Sequence, residues 1–299
     1  MDTLRTMPTN IPGQERMYPG HLACPGCGAA IAMRLVLKGL KEKVVVVIPA
    51  CCWTIIAGPY PYTSLQAPVL HVPFGTGAAV ASGIRAALDV RGDEGTQVVT
   101  WAGDGGTFDL GLQALSGAAE RNENILYVCY DNEAYMNTGG QASSATPYGA
   151  RTTVTPKNNP KRVRKKDIVR ILAAHRIPYA ATASIAYPDD LVRKVQKAAS
   201  TTGTRFLHIF APCPPGWKVP SKDCIRMARL AVRTRVFPLY EVEEGERYTI
   251  SAPLDDCRVD EYCRAQGRFE DMTREELESI QAEVNKNWEW LKARAGENR

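Results

Sequence analysis

Two short polar segments could bind a phosphate and a metal ion. Gly103-Asp104-Gly105-Gly106 follows the apolar residues from Val98, and Asp131-Asn132 follows a second apolar run. Glycines allow backbone amides to approach a phosphate at a helix N-terminus, and an aspartate supplies a hard oxygen for a divalent cation. If both segments end neighbouring parallel strands, Asn132 can offer a second oxygen to the same Mg²⁺. The alternative is a pair of ordinary turns, because glycine and aspartate are common turn residues.

The cysteines could ligate a second metal centre. Cys24-Pro25-Gly26-Cys27 is joined by Cys52 and by the distant Cys224. The two-residue spacing suits either a tetrahedral zinc ion or an iron–sulfur cluster, so spacing alone leaves a structural zinc open. We interpret Cys129 as a small core residue. The remaining cysteines without ligand-like neighbours are expected to be structural thiols, namely Cys213, Cys257 and Cys263.

These candidate sites require strands and helices that alternate along the chain. Hydrophobic patterns predict strands at 44–48, 69–72, 97–101, 125–130 and 206–210, and helices at 30–40, 78–88, 110–120, 167–175, 191–200 and 274–294. Such alternation indicates an α/β fold with a doubly wound, mainly parallel sheet, whose ligands bind at the carboxyl ends of the strands. We expect an N-terminal arm at 1–20, a central domain at 21–240 and a C-terminal extension at 241–299 that packs on the core or on a partner.

Composition narrows the class of protein. The 299 residues are 44% hydrophobic and 23% charged, which excludes a collagen-like or wholly disordered chain. No apolar run is long enough to span a membrane. The N-terminus has no basic start followed by an apolar stretch, so we expect a cytoplasmic protein in which cysteines stay reduced.

The net charge of +5 is partly local, since basic residues cluster between Lys157 and Arg170. A solvated surface is the first interpretation of this cluster, and a docking patch for an acidic electron carrier or an anionic ligand is the second. Nucleic acid is not expected, because no aromatic residues interleave the basic ones.

The Gly-Asp-Gly, helix, strand, Asp-Asn arrangement resembles the signature of thiamine diphosphate enzymes. Together with Cys24–Cys27, Cys52 and the run Tyr135–Gln141, it closely resembles the β subunit of the pyruvate:ferredoxin oxidoreductases, a group within the 2-oxoacid:ferredoxin oxidoreductases. The likeness covers most of 19–269. Further segments that carry it are 21–30, 74–83, 211–217 and 237–240.

This resemblance implies site residues. Asp104, Asn132 and the carbonyl of Ala134 would hold Mg²⁺. Cys24, Cys27, Cys52 and Cys224 would hold a [4Fe-4S] cluster, although the adjacent Cys51 competes with Cys52 for the third position. The residues expected to contact thiamine diphosphate are Gly103, Asp104, Gly105, Gly106, Asn132, Ala134, Asn137 and Thr138. Asn137 is also the candidate polar contact to substrate, and Ile55 a candidate apolar wall of the substrate pocket.

The resemblance also implies a function. It is the oxidative decarboxylation of a 2-oxoacid, with coenzyme A taking the acyl group and electrons passing through the cluster to ferredoxin. Pyruvate is the expected substrate, with oxalate, phenylglyoxylate, branched 2-oxoacids and 2-oxoglutarate as alternatives. An α subunit would supply the pyrimidine-binding half of the site, and further γ, δ or ferredoxin-like chains would carry electrons onward. The alternatives are a non-oxidative thiamine-dependent decarboxylase or synthase, and a non-catalytic iron–sulfur or zinc scaffold.

Overall fold

One eight-stranded sheet organises the chain. The computed structural model describes residues 10–155, 159–251 and 257–296. The strands are β1 (Val44–Pro49), β2 (Val69–Val72), β3 (Gln97–Gly103), β4 (Leu126–Asp131), β5 (Tyr179–Ser184), β6 (Arg205–Phe210), β7 (Tyr240–Glu243) and β8 (Arg247–Ile250). Their order in the sheet is β2-β1-β3-β4-β6-β5-β7-β8. The first six strands are parallel, while β7 and β8 join the β5 edge in antiparallel register. The predicted doubly wound, mainly parallel sheet is therefore confirmed.

Helices cover both faces of this sheet. They are α1 (Gly28–Gly39), α2 (Trp53–Ile56), α3 (Gly77–Val90), α4 (Leu112–Glu120), α5 (Ile168–Ala173), α6 (Pro188–Ser200), α7 (Pro214–Trp217), α8 (Cys224–Arg233), α9 (Val259–Arg264) and α10 (Arg274–Gly296). Helices α1, α6 and α8 pack on one face, and α3, α4, α5 and α10 on the other. Within the described ranges, no helix combines the length and the apolar character needed to cross a membrane.

The central strands are apolar because they are buried on both faces. Val46 and Ile48 of β1 enter the core beneath α1, while Val47 between them enters the core beneath α3. Successive side chains of a strand point to opposite faces, so a strand covered on both sides needs a continuous apolar run. All five predicted strands are present, four of them for this reason, whereas β2 is a partly exposed edge strand.

The hydrophobic patterns of the sequence do not predict three of the strands and several of the helices. Strand β5 is rich in alanine, a residue depleted in strands, and β7 and β8 are polar. Helix α8 begins at Cys224, where no helix was predicted. The predicted helix at 110–120 is preceded by a π-helical turn, Gly105–Asp109, so α4 begins two residues later than expected.

The N-terminal segment packs along α1. The buried Arg16 side chain donates to the carbonyl oxygens of Leu37, Leu40 and Lys41 at the end of that helix. The backbone of Met17 forms an antiparallel bridge with Leu65. These contacts satisfy carbonyls that a helix end leaves without intrahelical partners. Residues 1–9 of the expected arm lie outside the described residues.

The C-terminal segment packs on the core. Strands β7 and β8 extend the sheet, and Trp288 and Leu291 of α10 are buried against it. The predicted amphipathic helix at 274–294 is confirmed as α10. Residues 252–256 and 297–299 of the expected extension lie outside the described residues.

Candidate active site

A cavity of about 290 Å³ opens at the carboxyl ends of β1, β3 and β4. The chain passes from β1 to the sheet edge at β2 and returns to β3 on the other side of β1, so β1 and β3 form the switch point of the sheet. Such switch points are the usual ligand crevices of doubly wound folds. The cavity is lined by Ala50, Cys51, Cys52, Phe74, Gly103, Asp104, Gly105, Gly106, Tyr130, Asn132, Ala134, Tyr135, Met136, Asn137 and Thr138.

The Asn132 amide lies between two oxygens beside this cavity. One of its terminal atoms lies 3.1 Å from Asp104 Oδ1 and 2.8 Å from the carbonyl oxygen of Ala134. Without a cation, an amide nitrogen in that place donates to both oxygens. With a cation bound, the amide oxygen can take that place, accept the Ala134 N–H at 3.3 Å and complete a set of three hard oxygens. This donor set suits Mg²⁺, and it consists of the three predicted residues.

The other oxygen of Asp104 is bound within the protein. Ser143 Oγ donates to Asp104 Oδ2 at 2.5 Å, and both side chains are buried. Burial and the nearby Asp131 carboxylate raise the pKa of Asp104 well above its usual value, although the Ser143 hydrogen bond opposes the shift. A bound cation would favour the ionised form, because an opposite charge stabilises it.

The glycines around Asp104 leave room for aromatic rings as well as for a ligand. A Cβ on Gly105 would lie 2.2 Å from Tyr135 Cε1, and one on Gly106 would lie 3.3 Å from Phe74 Cε2. The Tyr135 hydroxyl donates to Asp109 Oδ2 at 2.6 Å, which fixes the ring across the π-helical turn. Gly105 is therefore required by the wall of the cavity, independently of any phosphate.

Asn137 and Thr138 lie at the mouth of the cavity. Both are exposed, on a loop closed by hydrogen bonds between the backbones of Tyr135 and Gln141. Thr138 Oγ1 donates to the Gln141 side-chain oxygen at 2.9 Å. The structure thus brings these two predicted residues together with Asp104 and Asn132 around one cavity.

A buried ionic network that no sequence motif predicted lies behind the cavity. Asp131 Oδ2 contacts Lys165 Nζ at 2.5 Å and His208 Nε2 at 2.7 Å. Lys165 also pairs with Glu133 at 2.9 Å, and Glu133 pairs with Arg268 at 2.5 Å. Burial alone would raise the pKa of Asp131, but Lys165 and His208 outweigh it and lower that pKa. The network holds the segment that carries Asn132.

The basic cluster between 157 and 170 is therefore not a solvated surface throughout. Lys165 is ion-paired at the site, and Lys161 Nζ donates to the carbonyl oxygens of Ser143 and Thr146 at 2.8 and 2.5 Å. Arg162 and Arg164 pair with Glu276 and Glu283 of α10. The charge pattern predicted a solvated surface because the sequence alone does not show which basic residues pair with distant carboxylates. Lys157 lies outside the described residues.

The predicted cluster ligands come from separate loops that approach one another. Burial raises the pKa of Cys52 to about 12, with the thiols of Cys51, Cys213 and Cys27 adding to the shift. Burial raises the pKa of Cys224 to about 12 as well, with contributions from Cys27 and Cys213. Cys24 and Cys27 are joined by a turn in which the Cys27 N–H donates to the Cys24 carbonyl at 3.1 Å.

Within the described ranges, no three histidine, cysteine or carboxylate side chains converge closely enough to bind one metal ion directly. A four-iron cluster differs from a single ion, because each thiolate binds a different iron and the ligands surround a larger volume.

The structure bears on the predictions for two further cysteines, Cys213 and Cys129. Cys213 was expected to be isolated, but the loop after β6 brings it beside Cys24 and Cys27, which add to the burial that raises its pKa to about 11. Strand β6 lies next to β4, so its carboxyl end opens on the same crevice. The interpretation of Cys129 as a core residue is confirmed, because it is fully buried in β4.

Cys51 and Cys52 both line the cavity but face different neighbours. Burial raises the pKa of both thiols, and the Tyr130 hydroxyl opposes the shift in both. The thiols of Cys27 and Cys213 add to the shift of Cys52, which places Cys52 near them. The choice of Cys52 as the third cluster ligand stays a prediction.

Ile55 does not line the cavity. In α2 the side chains of Trp53 and Ile56, three residues apart, are buried in the core, so Ile55 points outward with 53% of its surface exposed. Its role as an apolar wall is not supported by this chain alone and stays a prediction that depends on a partner subunit.

Comparisons with known proteins agree with this geometry. The family model "Thiamine pyrophosphate enzyme, C-terminal TPP binding domain" matches residues 51–209. The chain is 52% identical over 293 residues to the ketoisovalerate oxidoreductase subunit VorB of Pyrococcus furiosus, and the alignment covers 94% of each chain. It is 47% identical over 282 residues to the pyruvate synthase subunit PorB of Methanothermobacter thermautotrophicus, covering 92% of this chain and 96% of that one.

A solved structure supports the fold. The 2-oxoglutarate:ferredoxin oxidoreductase of Magnetococcus marinus superposes with a TM-score of 0.61 at 22% identity, covering 87% of this chain and 92% of that one. Asp104 and Asn132 both lie inside the range matched by the thiamine pyrophosphate family model. The chain therefore belongs to the thiamine pyrophosphate enzymes and is the β subunit of a 2-oxoacid:ferredoxin oxidoreductase.

Proposed function

We propose that this β subunit binds thiamine diphosphate and Mg²⁺ in the cavity at the ends of β1, β3 and β4, for the oxidative decarboxylation of a short 2-oxoacid. The observation that carries the proposal is the convergence of Asp104 Oδ1, the Asn132 amide and the Ala134 carbonyl at one point. A buried, ionised carboxylate is costly without a compensating positive charge, and within the described ranges the Asp104 carboxylate contacts a serine hydroxyl and an amide rather than a cationic side chain. The backbone of Gly103–Gly106 borders the same cavity and would hold the diphosphate.

The residues of the chain have separable tasks in this site. Thiamine diphosphate, when bound, supplies a nucleophilic thiazolium carbon for attack on the keto carbon. Asp104 and Asn132 would hold the metal ion that binds its diphosphate. Phe74, Tyr135 and Met136 line the cavity and would exclude water from it. Asn137, exposed at the mouth, would donate to the substrate carboxylate through its amide.

Cys24, Cys27, Cys52 and Cys224 would hold a [4Fe-4S] cluster that accepts electrons. Cys52 lines the cofactor cavity and neighbours the Cys27 and Cys213 thiols. One residue thus borders both centres, which supports direct electron transfer between them. None of the nine cysteines, all of which lie in the described ranges, forms a disulfide, so the four proposed ligands are available as thiolates. The cytoplasm remains the expected compartment.

The remaining partners follow from the chemistry. An α subunit would supply the pyrimidine-binding half, coenzyme A would take the acyl group, and γ, δ or ferredoxin-like chains would carry electrons to ferredoxin. Pyruvate remains the expected substrate. Ketoisovalerate is the second candidate, because the relatives at 52% identity carry that name.

Asp104→Ala in the co-purified complex tests the proposal. We expect it to abolish retention of thiamine diphosphate and viologen reduction with every 2-oxoacid, because the diphosphate would lose its cation bridge. Asn132→Ala should weaken retention less, since a neutral amide contributes less to a hard cation. Cofactor content after desalting and a panel including pyruvate and ketoisovalerate are the measurements. Asp189→Ala, at an exposed position on α6, is the control. Unchanged cofactor content in Asp104→Ala would overturn the proposal.

A further inference from the structure

We propose that Ser143 is a positioning residue that restricts Asp104 to one ligating oxygen and thereby makes the site selective for Mg²⁺ over larger divalent cations. The inference rests on the proposed function, because it assumes that the Asp104 site takes a metal ion. The inference is based on the different contacts of the two oxygens of the Asp104 carboxylate. Oδ1 faces the Asn132 amide at 3.1 Å, while Oδ2 accepts the Ser143 hydroxyl proton at 2.5 Å.

The Ser143 hydroxyl is committed to this hydrogen bond. Its oxygen accepts the Ala145 N–H at 3.1 Å, which leaves its single proton for Asp104. Only 4% of Ser143 and 1% of Asp104 is exposed, so solvent does not compete for either group. A hydrogen bond from a buried hydroxyl to a carboxylate is among the stronger hydrogen bonds in proteins. Rotation of Oδ2 toward a cation would break it.

The loop that carries Ser143 is tied to the other side of the metal site. The Ser143 N–H donates to Thr146 Oγ1 at 2.9 Å, and Thr146 Oγ1 donates to the Glu133 carbonyl at 2.5 Å. Lys161 holds the carbonyl oxygens of Ser143 and Thr146. Glu133 directly follows Asn132 along the chain. The loop 143–146 therefore connects the Asp104 side of the site to the Asn132 side and sets the position of Oδ2.

Carboxylate geometry discriminates between cations. Mg²⁺ requires a nearly octahedral set at short distances, which single carboxylate oxygens satisfy. Ca²⁺ takes six to eight oxygens at longer distances and often binds both oxygens of one carboxylate. With Oδ2 held by Ser143, turning both oxygens toward one cation weakens a charged hydrogen bond. Ser143 should thus penalise Ca²⁺ more than Mg²⁺.

Ser144 offers a matched control in the same loop. Its hydroxyl and its N–H donate to Asp109, the N–H at 3.1 Å to Oδ2, and none of these bonds reaches Asp104. Ser144→Ala removes a serine hydroxyl from the same loop, as Ser143→Ala does, but it leaves the hydrogen bond to Asp104 Oδ2 in place. A purely structural role of the loop predicts the same outcome for Ser143→Ala and Ser144→Ala.

The experiment measures thiamine diphosphate affinity of the co-purified complex, stripped of metal and titrated calorimetrically with either Mg²⁺ or Ca²⁺ present. In Ser143→Ala we expect the ratio of Mg²⁺-supported to Ca²⁺-supported affinity to fall about tenfold, the equivalent of one charged hydrogen bond. Ser143→Cys, with a weak donor, should give an intermediate ratio, and Ser143→Thr should restore the ratio of the parent protein. Ser144→Ala should keep that ratio.

Each outcome bears on the inference. An unchanged ratio in Ser143→Ala and Ser143→Cys, or an equal loss with both cations, would overturn it while leaving the proposed function standing. If Ser143→Ala does not assemble, the ratios of the cysteine and threonine variants decide the question. Absence of metal-dependent thiamine diphosphate binding in the parent complex would instead overturn the proposed function, and this inference with it.

Discussion

Asp104 and Asp131 are buried aspartates at the ends of neighbouring strands, and their different neighbours shift their pKa values in opposite directions. Asp131 has Lys165 and His208 within hydrogen-bond distance, and its pKa is lowered. Asp104 faces the Asn132 amide and a serine hydroxyl, and burial raises its pKa. The charge of Asp131 is thus compensated within the protein, whereas a bound cation would favour the ionised form of Asp104. This contrast supports the proposal that Asp104, rather than Asp131, binds the metal ion.

Adjacent cysteines give a prediction at the same scale. Cys52→Ala should lose iron and the visible absorption of a cluster, because three remaining thiolates cannot complete its coordination. Cys51→Ala should retain both, since Cys52 is the thiol on which Cys27 and Cys213 act. Iron content and the spectrum of the anaerobically purified complex are the measurements, with Cys257→Ala as the control. Loss of iron in Cys51→Ala with retention in Cys52→Ala would reverse the assignment of the third ligand.

At the scale of elements, β7 shows how a polar strand enters a sheet. Glu241 in this strand accepts from Arg193 at 2.7 Å and Lys197 at 2.9 Å, both on α6, and from the Tyr179 hydroxyl at 2.8 Å. Burial alone would raise the pKa of Glu241, but these three donors lower it to about 2. The strand is stable beside β5 because a helix distant in sequence supplies its cations.

This contact makes stability depend on pH. Glu241→Gln should lower the free energy of unfolding at pH 7 by about 2 kcal/mol, since it removes charged hydrogen bonds to a buried carboxylate. The folded-state pKa lies below the unfolded value near 4.5, so the contribution of Glu241 is complete above that pH and is lost as the pH falls toward about 2.

Urea unfolding between pH 7 and pH 3 measures the effect, and the difference between the variant and the parent protein should narrow below about pH 4.5. Glu246→Gln is the control, because Glu246 is exposed and its contact with Arg176 is 4.0 Å long. A difference that stays constant over this range would contradict the assignment.

At the scale of the whole molecule, the proposed function implies that a partner subunit completes the candidate site. Its residues come from loops that span Cys24 to Arg268, so they converge only when the sheet is assembled. The described side chains that line the cavity include no glutamate. The family resemblance implies a glutamate beside the pyrimidine ring and assigns it to another subunit. In the proposed function the chain therefore contributes one half of an active site.

The isolated chain should accordingly not decarboxylate any 2-oxoacid, even if it retains its cluster. Addition of the α subunit should restore viologen reduction with pyruvate or ketoisovalerate, because the missing glutamate then completes the site. Turnover by the chain alone, by the recombined subunits and by the α subunit alone are the three measurements. Robust turnover without a partner would contradict the shared-site interpretation.

Much of the fold follows from the sequence because its signals are local. The mainly apolar runs of β1, β3 and β4 indicate burial on both faces, and the loops after β3 and β4 carry the proposed metal ligands in a short motif. The structure brings Asp104, Asn132 and Ala134 together as this pattern predicts, and their role as metal ligands stays a prediction. Neighbouring parallel strands necessarily bring their carboxyl ends to the same edge.

The tertiary structure decided what depends on distant partners. Strand β7 is polar and has no pattern of its own, since the cations of α6 stabilise it. The sequence suggests that Lys165 is a surface residue, but in the structure it pairs with Asp131 and Glu133. Cys213 has no neighbouring cysteine in the sequence, but the loop after β6 brings it near Cys27. Ser143 carries no motif, and only its 2.5 Å hydrogen bond to Asp104 reveals it. Local patterns record which residues are buried, whereas the identity of each buried polar partner is determined only when strands far apart in sequence pack together.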